Sequence, residues 1–380
     1  MKAPLDLKDH RLIICLGPGG VGKTTVSAAL ALYGAMEGRA VDVMTVDPAP
    51  RLLDALGLDA SSAEPQRVPL EGLLDGELRK TARRSRPRLR ALKLDPKATF
   101  DALVDRYAPS ATARDTILEN RIYRNLSGAL SGVGDYMAME KLLELHLAPD
   151  ADLIVLDTPP ASEAIDFLDA PRRLLDLLNS RAITLLGRSG GSLLRGLKMV
   201  DFAARTVLSA FDRATGLHLL GDVQGFVESF AGMYAGFAER AQQAGELLKS
   251  PATIIVIVTT AEAARITQAR DFAAALDKAG LQVDAVIVNR IMPEIPDAAE
   301  IARAKIPPAL KRKLSRNLKD FAALKQREMH ALKDLRAGLS SKSVIFGAPD
   351  LGREPRTLTD LAEIARSLEV IHDLSPNPFP

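Results

Sequence analysis

What the sequence has little of narrows the reading before any motif is considered. It carries one cysteine, Cys15, inside the apolar run LIICL, so neither a disulfide framework nor a cysteine metal site can be built within one chain. The five histidines, His10, His146, His218, His330 and His372, stand singly, which argues against a histidine metal cluster. Neither sign of charge dominates: 50 basic against 48 acidic residues leave +2, and no whole-protein field draws nucleic acid or an anionic membrane. No apolar run approaches the roughly 18 residues that a membrane span needs. The N-terminus, MKAPLDLKDHR, has two aspartates and no signal-peptide apolar region, so the chain reads as soluble and cytoplasmic, without an integral membrane segment. Internal repeats and long low-complexity tracts are absent too, and the tail SPNPFP reads as a loosely docked end.

What is present is an ordinary globular composition, 47% apolar and 26% charged over 380 residues, enough for one large domain or two intertwined ones. Short β-branched runs recur at 11–16, 40–46, 152–157, 253–258, 283–288 and 343–347. Near-continuous apolar strands alternating with helical stretches imply a doubly wound, mostly parallel α/β sheet covered on both faces. Two gaps between strands are too long for loops and read as helical insertions. The first holds KATFDALVDRYA and YMAMEKLLELHL; in the second, Val223, Phe226, Val227, Phe230, Met233, Tyr234 and Phe237 fall on one helical face. The expected division is 1–60, 150–170 and 250–380 for the sheet domain, with 70–149 and 171–249 forming an inserted helical subdomain.

GPGGVGKT, Gly17 to Thr24, fits G-x-x-x-x-G-K-[ST] between a predicted strand and a predicted helix, the context that motif requires. A glycine-rich turn lets backbone N–H groups converge on phosphate oxygens at a helix N-terminus, where the dipole favours negative charge. Gly17, Gly19, Gly20, Val21, Gly22, Lys23, Thr24 and Thr25 are therefore the expected nucleotide-binding residues. Lys23 would neutralise the β and γ phosphates and the Thr24 hydroxyl would ligate Mg²⁺. GPGGVG also matches the dinucleotide fingerprint, but a dinucleotide turn has no use for the lysine and hydroxyl that follow.

Ligands of open parallel sheets sit outside the carboxyl ends of the strands, which singles out Asp47 in TVDPAP and Asp157 in LIVLDTPP. Asp157 follows four apolar residues and would hold Mg²⁺ directly or through water; Asp47 would orient the attacking water. The alternative for each is a helix cap or a turn aspartate before proline.

With these motifs the sequence resembles the ArsA and tail-anchored-protein targeting ATPases, of the deviant phosphate-loop class that also holds partitioning and division-site ATPases. The resemblance rests on GPGGVGKTT, on VDPAPRLLDAL and DTPPASEAIDFLDAP as two switches, and on VIVNR. It covers most of the chain and looks closest to a bacterial branch with elements similar to SGVGDYMAMEKL and MYAGFAERA. It implies that Asp47 activates water, that Asp157 serves Mg²⁺ and the γ-phosphate, and that Asn289 reads adenine. The absence of an NKxD guanine-reading motif agrees with ATP. The resemblance also implies a dimer whose helical surface can form a hydrophobic groove for a client transmembrane helix, which Phe226, Phe230, Met233 and Phe237 would line if they are not simply packed inside.

The chain departs from the family pattern in several places. Pro50 and Arg51 replace the histidine and asparagine of the eukaryotic first switch, and the arsenite-binding and zinc-binding cysteines are missing. The signature lysine of KGGVGKT is Pro18, which has no N–H and no charge to offer a phosphate. Three readings follow: a lysine-bearing paralogue completes the site in a heterodimer, Arg51 acts as the trans cation in a homodimer, or the chain binds ATP and hydrolyses it poorly. A competing class is a partitioning-type ATPase that binds nucleic acid or membrane. Its support is the basic run from Arg79 to Lys93 and the stretch KRKLSRNLKD. That first run lacks interleaved aromatics, and its default reading is a solvated loop or helix.

Overall fold

A computed structural model describes residues 7, 9–62, 64–70, 73, 88–120, 131–178, 233–294 and 298–371. Two compact units emerge, one of Met1–Lys93, Ala148–Ile165 and Lys249–Pro380, the other of Leu94–Leu147 and Asp166–Leu248.

The first unit is built on a sheet whose strands among the described residues are β1 (Leu12–Leu16), β2 (Ala40–Thr45), β3 (Gln66–Arg67), β4 (Arg88–Lys93), β5 (Leu153–Asp157), β6 (Thr253–Thr260), β7 (Ala285–Ile291), β8 (Val344–Pro349) and β9 (Glu369–Val370). Their order is β3-β4-β2-β5-β1-β6-β7-β8-β9. Every pairing is parallel except those of β3 with β4 and β8 with β9 at the two edges. The six apolar runs of the sequence are β1, β2, β5, β6, β7 and β8. The fold is thus a doubly wound, mostly parallel α/β sheet with a helical unit inserted.

Three strands were not expected, the two-residue edge strands β3 and β9 and the longer β4. Residues 88–93 belong to the run read as a solvated basic stretch, yet they form β4, paired in parallel with β2. RLRALK alternates enough for Leu89, Ala91 and Leu92 to be buried while Arg88, Arg90 and Lys93 stay half-exposed. Arg90 grips Asp42 on β2 through two bonds, Nε to Oδ1 at 2.8 Å and Nη2 to Oδ2 at 2.6 Å. A bidentate fork of this kind lets a cation stand beside a buried carboxylate. Residues 79–87 of the same run lie outside the described residues.

The helices of the sheet unit are α1 (Lys23–Met36), α2 (Arg51–Ala55), α6 (Ala161–Leu168), α9 (Ala263–Lys278), α10 (Ala298–Arg303), α11 (Pro308–Ala337) and α12 (Leu358–Arg366), with α6 continuing past Ile165 into the second unit. α1 is alanine-rich and buried over nearly its whole length, packed in the core with Val41, Leu153 and the α12 residues Leu361 and Ala365. The second unit is helical: α3 (Pro96–Tyr107), α4 (Ala111–Glu119), α5 (Ser131–Leu147), α7 (Ala170–Leu178) and α8 (Tyr234–Leu248). Its core gathers Phe100, Val104, Ile117, Met137, Met233 and Phe237. Met233 and Phe237, two of the candidate groove residues, are 1% and 2% exposed, so they pack inward rather than line a surface. Phe226 and Phe230 lie outside the described residues, as do Val223 and Val227.

Candidate functional site

β1 is the strand at which the order of the sheet reverses, with β5 and β2 to one side and β6 and β7 to the other. Open parallel sheets bind ligands at such a point, beyond the carboxyl ends. The loop from Gly17 to Gly22 leaves β1 there, and its backbone demands the glycines at both ends. Gly17 has φ +153° and a Cβ on it would come within 2.2 Å of the Val258 carbonyl oxygen; Gly22 has φ +86° and its Cβ would fall 2.3 Å from Asn289 Nδ2. Between them Pro18 is buried, Gly19 and Gly20 are exposed, and Val21 is buried.

α1 begins at once after Gly22. No side chain caps it and no acidic residue sits in its first turn. Asp95 caps α3, Ser110 caps α4 and Thr357 with Asp360 boxes α12, whereas α2, α9 and α11 lack a side-chain cap as α1 does. The open N–H groups at the start of α1 therefore remain available to an anion.

The strand register puts Cys15, Asp157 and Thr45 in one row across β1, β5 and β2. Asp157 is fully buried. Its Oδ2 accepts from Thr24 Oγ1 at 2.8 Å and from Thr45 Oγ1 at 3.0 Å, and Ser27 Oγ lies 3.3 Å from Oδ1. Burial pushes the Asp157 carboxyl above its ordinary range, while nearby Lys23 and the hydroxyl bonds hold it down. Its neighbour Cys15, equally buried, is pushed up to about 12, chiefly by desolvation, which leaves an inert thiol.

Lys23 is 9% exposed and its Nζ donates to the Pro159 carbonyl at 2.9 Å. Burial lowers its pKa, Asp157, Cys15 and Asp47 oppose that, and Arg51 adds to it. Arg51 is exposed at the first position of α2, yet close enough for its charge to be felt at Lys23. Asp47 is half-buried: its Oδ1 accepts from Ala49 N at 2.9 Å, and its own N–H donates to Thr45 Oγ1 at 3.2 Å. It thus makes the turn bond of the structural alternative and also stands within Coulombic reach of Lys23. Thr24 and Thr25 are half-buried on the first turn of α1.

Asn289 sits at the end of β7 with 6% exposure. Its Nδ2 donates to the Val21 carbonyl at 2.9 Å and its Oδ1 accepts from Arg290 N at 3.0 Å. A cavity of about 850 Å³ opens between Thr260, Arg290 and Met292 and the α11 residues Leu324, Glu328 and Ala331, and neither the phosphate loop nor Asn289 lines it.

Thr45 and Ser27 are absent from the sequence-based site. Thr45 bonds both the Asp157 carboxylate and the Asp47 backbone, and Ser27 stands four residues after Lys23, one helical turn along the same face. A hydroxyl ending an apolar strand, and a second one turn beyond the lysine, were the available signals. Among the described residues no cluster of three or more His, Cys, Asp or Glu could hold a metal, and no helix is long and apolar enough to cross a membrane.

A glycine loop feeding an uncapped helix at the switch point of a parallel sheet, with a strand-end carboxylate bonded to the loop's threonine, defines a phosphate-loop nucleoside triphosphatase fold. Within that class the profile of the anion-transporting ATPase family matches residues 10–335, and the chain belongs to this family. Among its relatives, an uncharacterized protein of Streptomyces coelicolor is 28% identical over 371 residues, 97% of this chain and 79% of that protein. ATPase GET3 of Malassezia globosa is 27% identical over 189 residues, 50% of this chain and 49% of GET3. ATPase ARSA1 of Chlamydomonas reinhardtii is 27% identical over 307 residues, 75% of this chain and 35% of ARSA1. The chain therefore spans about half of that GET3 and about a third of that ARSA1.

Proposed function

We propose that the protein is a Mg²⁺-dependent, ATP-hydrolysing switch that works in the cytoplasm as a dimer, with a second copy or with a paralogue. The observation that carries this reading is Asp157: a fully buried carboxylate whose direct side-chain partners are hydroxyls, beside a lysine that is bonded elsewhere. A buried carboxylate left without an ionic partner is costly unless a cation completes it. Hard oxygen donors are what Mg²⁺ takes, and Thr24 Oγ1 with Asp157 supplies two of them on one side of an open phosphate loop.

Thr24 and Asp157 would hold the ion, which when bound supplies charge neutralisation for the phosphate oxygens. Lys23 and the N–H groups of Gly19, Gly20 and Gly22 bind and orient the triphosphate. Asp47, fixed by Thr45 and its own turn, positions water. Asn289 has a second amide hydrogen, beyond the one given to Val21, which serves the base.

Lys23 also supplies a route from nucleotide to helical unit. A phosphate that takes Lys23 Nζ competes with the Pro159 carbonyl, and the segment so released runs into α6, where the chain passes from one unit to the other at Ile165. In this reading the helical unit presents the partner or client surface.

Pro18 is buried and offers neither charge nor N–H, so the transition-state cation must come from another residue. Arg51 is the candidate within this sequence, and its proximity to Lys23 in charge terms favours it. Single-turnover hydrolysis of Mg·ATP by the pure chain, repeated with Arg51→Ala, separates the alternatives. A fall of on the order of 1,000-fold is expected if Arg51 is the finger. Fast turnover untouched by the mutation removes Arg51 from the role, slow turnover in both points to a paralogue, and failure to bind Mg·ATP at all removes the reading itself.

A further inference from the structure

Helix α11 changes character half-way along. Its second half is built into the sheet unit: Glu328, Ala331, Leu332 and Leu335 are buried. Glu328 and Lys325 clamp the backbone just past β7, with Met292 N donating to Glu328 Oε2 at 2.9 Å and Lys325 Nζ donating to the Met292 carbonyl at 2.9 Å. The first half continues the same apolar face but leaves it bare. Leu310, Leu314, Phe321 and Leu324 are 43%, 37%, 48% and 47% exposed, four of the six large apolar side chains so exposed among the described residues. Leu318, half-buried, lies between them. At 3.6 residues per turn these five positions fall within an arc of about 120°. Arg312, Arg316 and Lys319 occupy the opposite side, and Lys313 flanks the stripe. Lys311, at the boundary, donates to the Ala302 carbonyl at 2.6 Å, and Asp320 is the one acid between 308 and 324.

We propose that residues 308–324 of α11 form an interfacial helix that lies on an anionic lipid surface, with Leu310, Leu314, Phe321 and Leu324 at the acyl boundary and the cations among the headgroups. An apolar stripe opposite a cationic face on a helix too charged to span is the pattern of in-plane membrane binding. The exposed stripe is about 20 Å long, enough for one in-plane contact. Charge decides between occupants: a second copy seated on the apolar stripe would leave the cations without a counter-charge, whereas an anionic surface takes up the stripe and the cations together. A nucleic-acid backbone would use the cations and leave the leucines and phenylalanine idle.

The test is flotation of the full-length protein with vesicles of phosphatidylcholine alone and of an equal mixture with phosphatidylglycerol. Binding is expected only to the anionic vesicles. The combined change Arg312→Gln, Lys313→Gln, Arg316→Gln and Lys319→Gln should lower partition several hundredfold, roughly fivefold for each cation. Leu314→Ser with Phe321→Ser should lower it at least tenfold, roughly the effect of two lost apolar anchors. All these side chains are exposed, so both variants should melt like the parent. Because the chain has no tryptophan, Phe321→Trp gives a single tryptophan, whose emission should shift to the blue and be quenched by brominated lipid on anionic vesicles only. Anionic-vesicle binding that survives the Leu314 and Phe321 changes, or an unshifted emission from the Phe321→Trp variant, would overturn the proposal. So would a lower solution mass for the apolar variant without any vesicle binding, or retention on duplex DNA in place of vesicles.

Discussion

Asp157 in the sheet unit and Glu140 in the helical unit are both buried carboxylates, 0% and 3% exposed, and they are kept in different company. Glu140 is bonded directly to a buried cation, Arg240, which is 5% exposed, in an ion pair closed within its own unit. Asp157 has hydroxyls instead, and the nearest cation, Lys23, is bonded to a carbonyl. The first is a direct ion pair, although Glu140 Oε2 and Arg240 Nη2 are buried without a hydrogen-bond partner among the described residues and burial pushes the Glu140 carboxyl up as well. The second keeps a negative charge under strain from burial, and a divalent ion would relieve it. The difference lies in the counter-charge: a bonded arginine beside Glu140, and at Asp157 hydroxyls with a lysine acting only through its charge.

The largest expected effect lies on the direct pair. Glu140→Ala leaves the Arg240 charge buried and unpaired, and should cost about 3–5 kcal/mol in urea unfolding. A loss under about 1 kcal/mol would mean that Arg240 finds water and that the pair is not a buried one. Thr45→Val, nearly isosteric, removes one donor from Asp157 and should cost about 1–2 kcal/mol in the nucleotide-free protein, measured the same way. A neutral result would show that the hydroxyl bond contributes nothing to holding the charge.

A smaller effect sharpens the comparison through pH. The Asp157 carboxyl is raised in the folded state, so the folded chain takes up that proton before the unfolded one does. Stability from this group therefore rises as pH falls through the raised value towards the ordinary carboxylate value of 3.8, and is lost again as pH climbs. Urea midpoints over that window should show this slope in the nucleotide-free protein. Burial raises Glu140 and Asp284 too, so Asp157→Asn should reduce the slope without removing it, and a slope unchanged by that substitution would assign it to those groups.

The sheet was legible because its inner strands are buried on both faces, so LIICL, LIVLD and TIIVIVTT read as unbroken apolar runs between turn signals. β4 was not, since RLRALK lies next to the short edge strand β3, and its half-exposed Arg90 is neutralised by Asp42, a pairing 48 residues away that no local pattern reveals. The phosphate loop was legible residue by residue because its chemistry is local. Thr45 and Ser27 were not, since their meeting at Asp157 depends on strand register and on the placement of α1 against β5. α11 shows a third kind of gap. Its cations are contiguous and caught the eye as charge, whereas Leu310, Leu314, Phe321 and Leu324 are spread among them and become a stripe only once the segment is a helix that overhangs its anchor.

The most direct measurement compares the unfolding free energy of the parent chain and of Asp157→Asn, each without ligand and with Mg²⁺ plus a non-hydrolysable ATP analogue. If Asp157 is a charge held for a cation, the asparagine variant should equal or exceed the parent without ligand. The parent alone should gain about 2.7 kcal/mol or more at a hundredfold excess of ligand over its dissociation constant. A variant that is as destabilised as Glu140→Ala without ligand, and still gains the full increment from Mg²⁺ and nucleotide, would contradict the account.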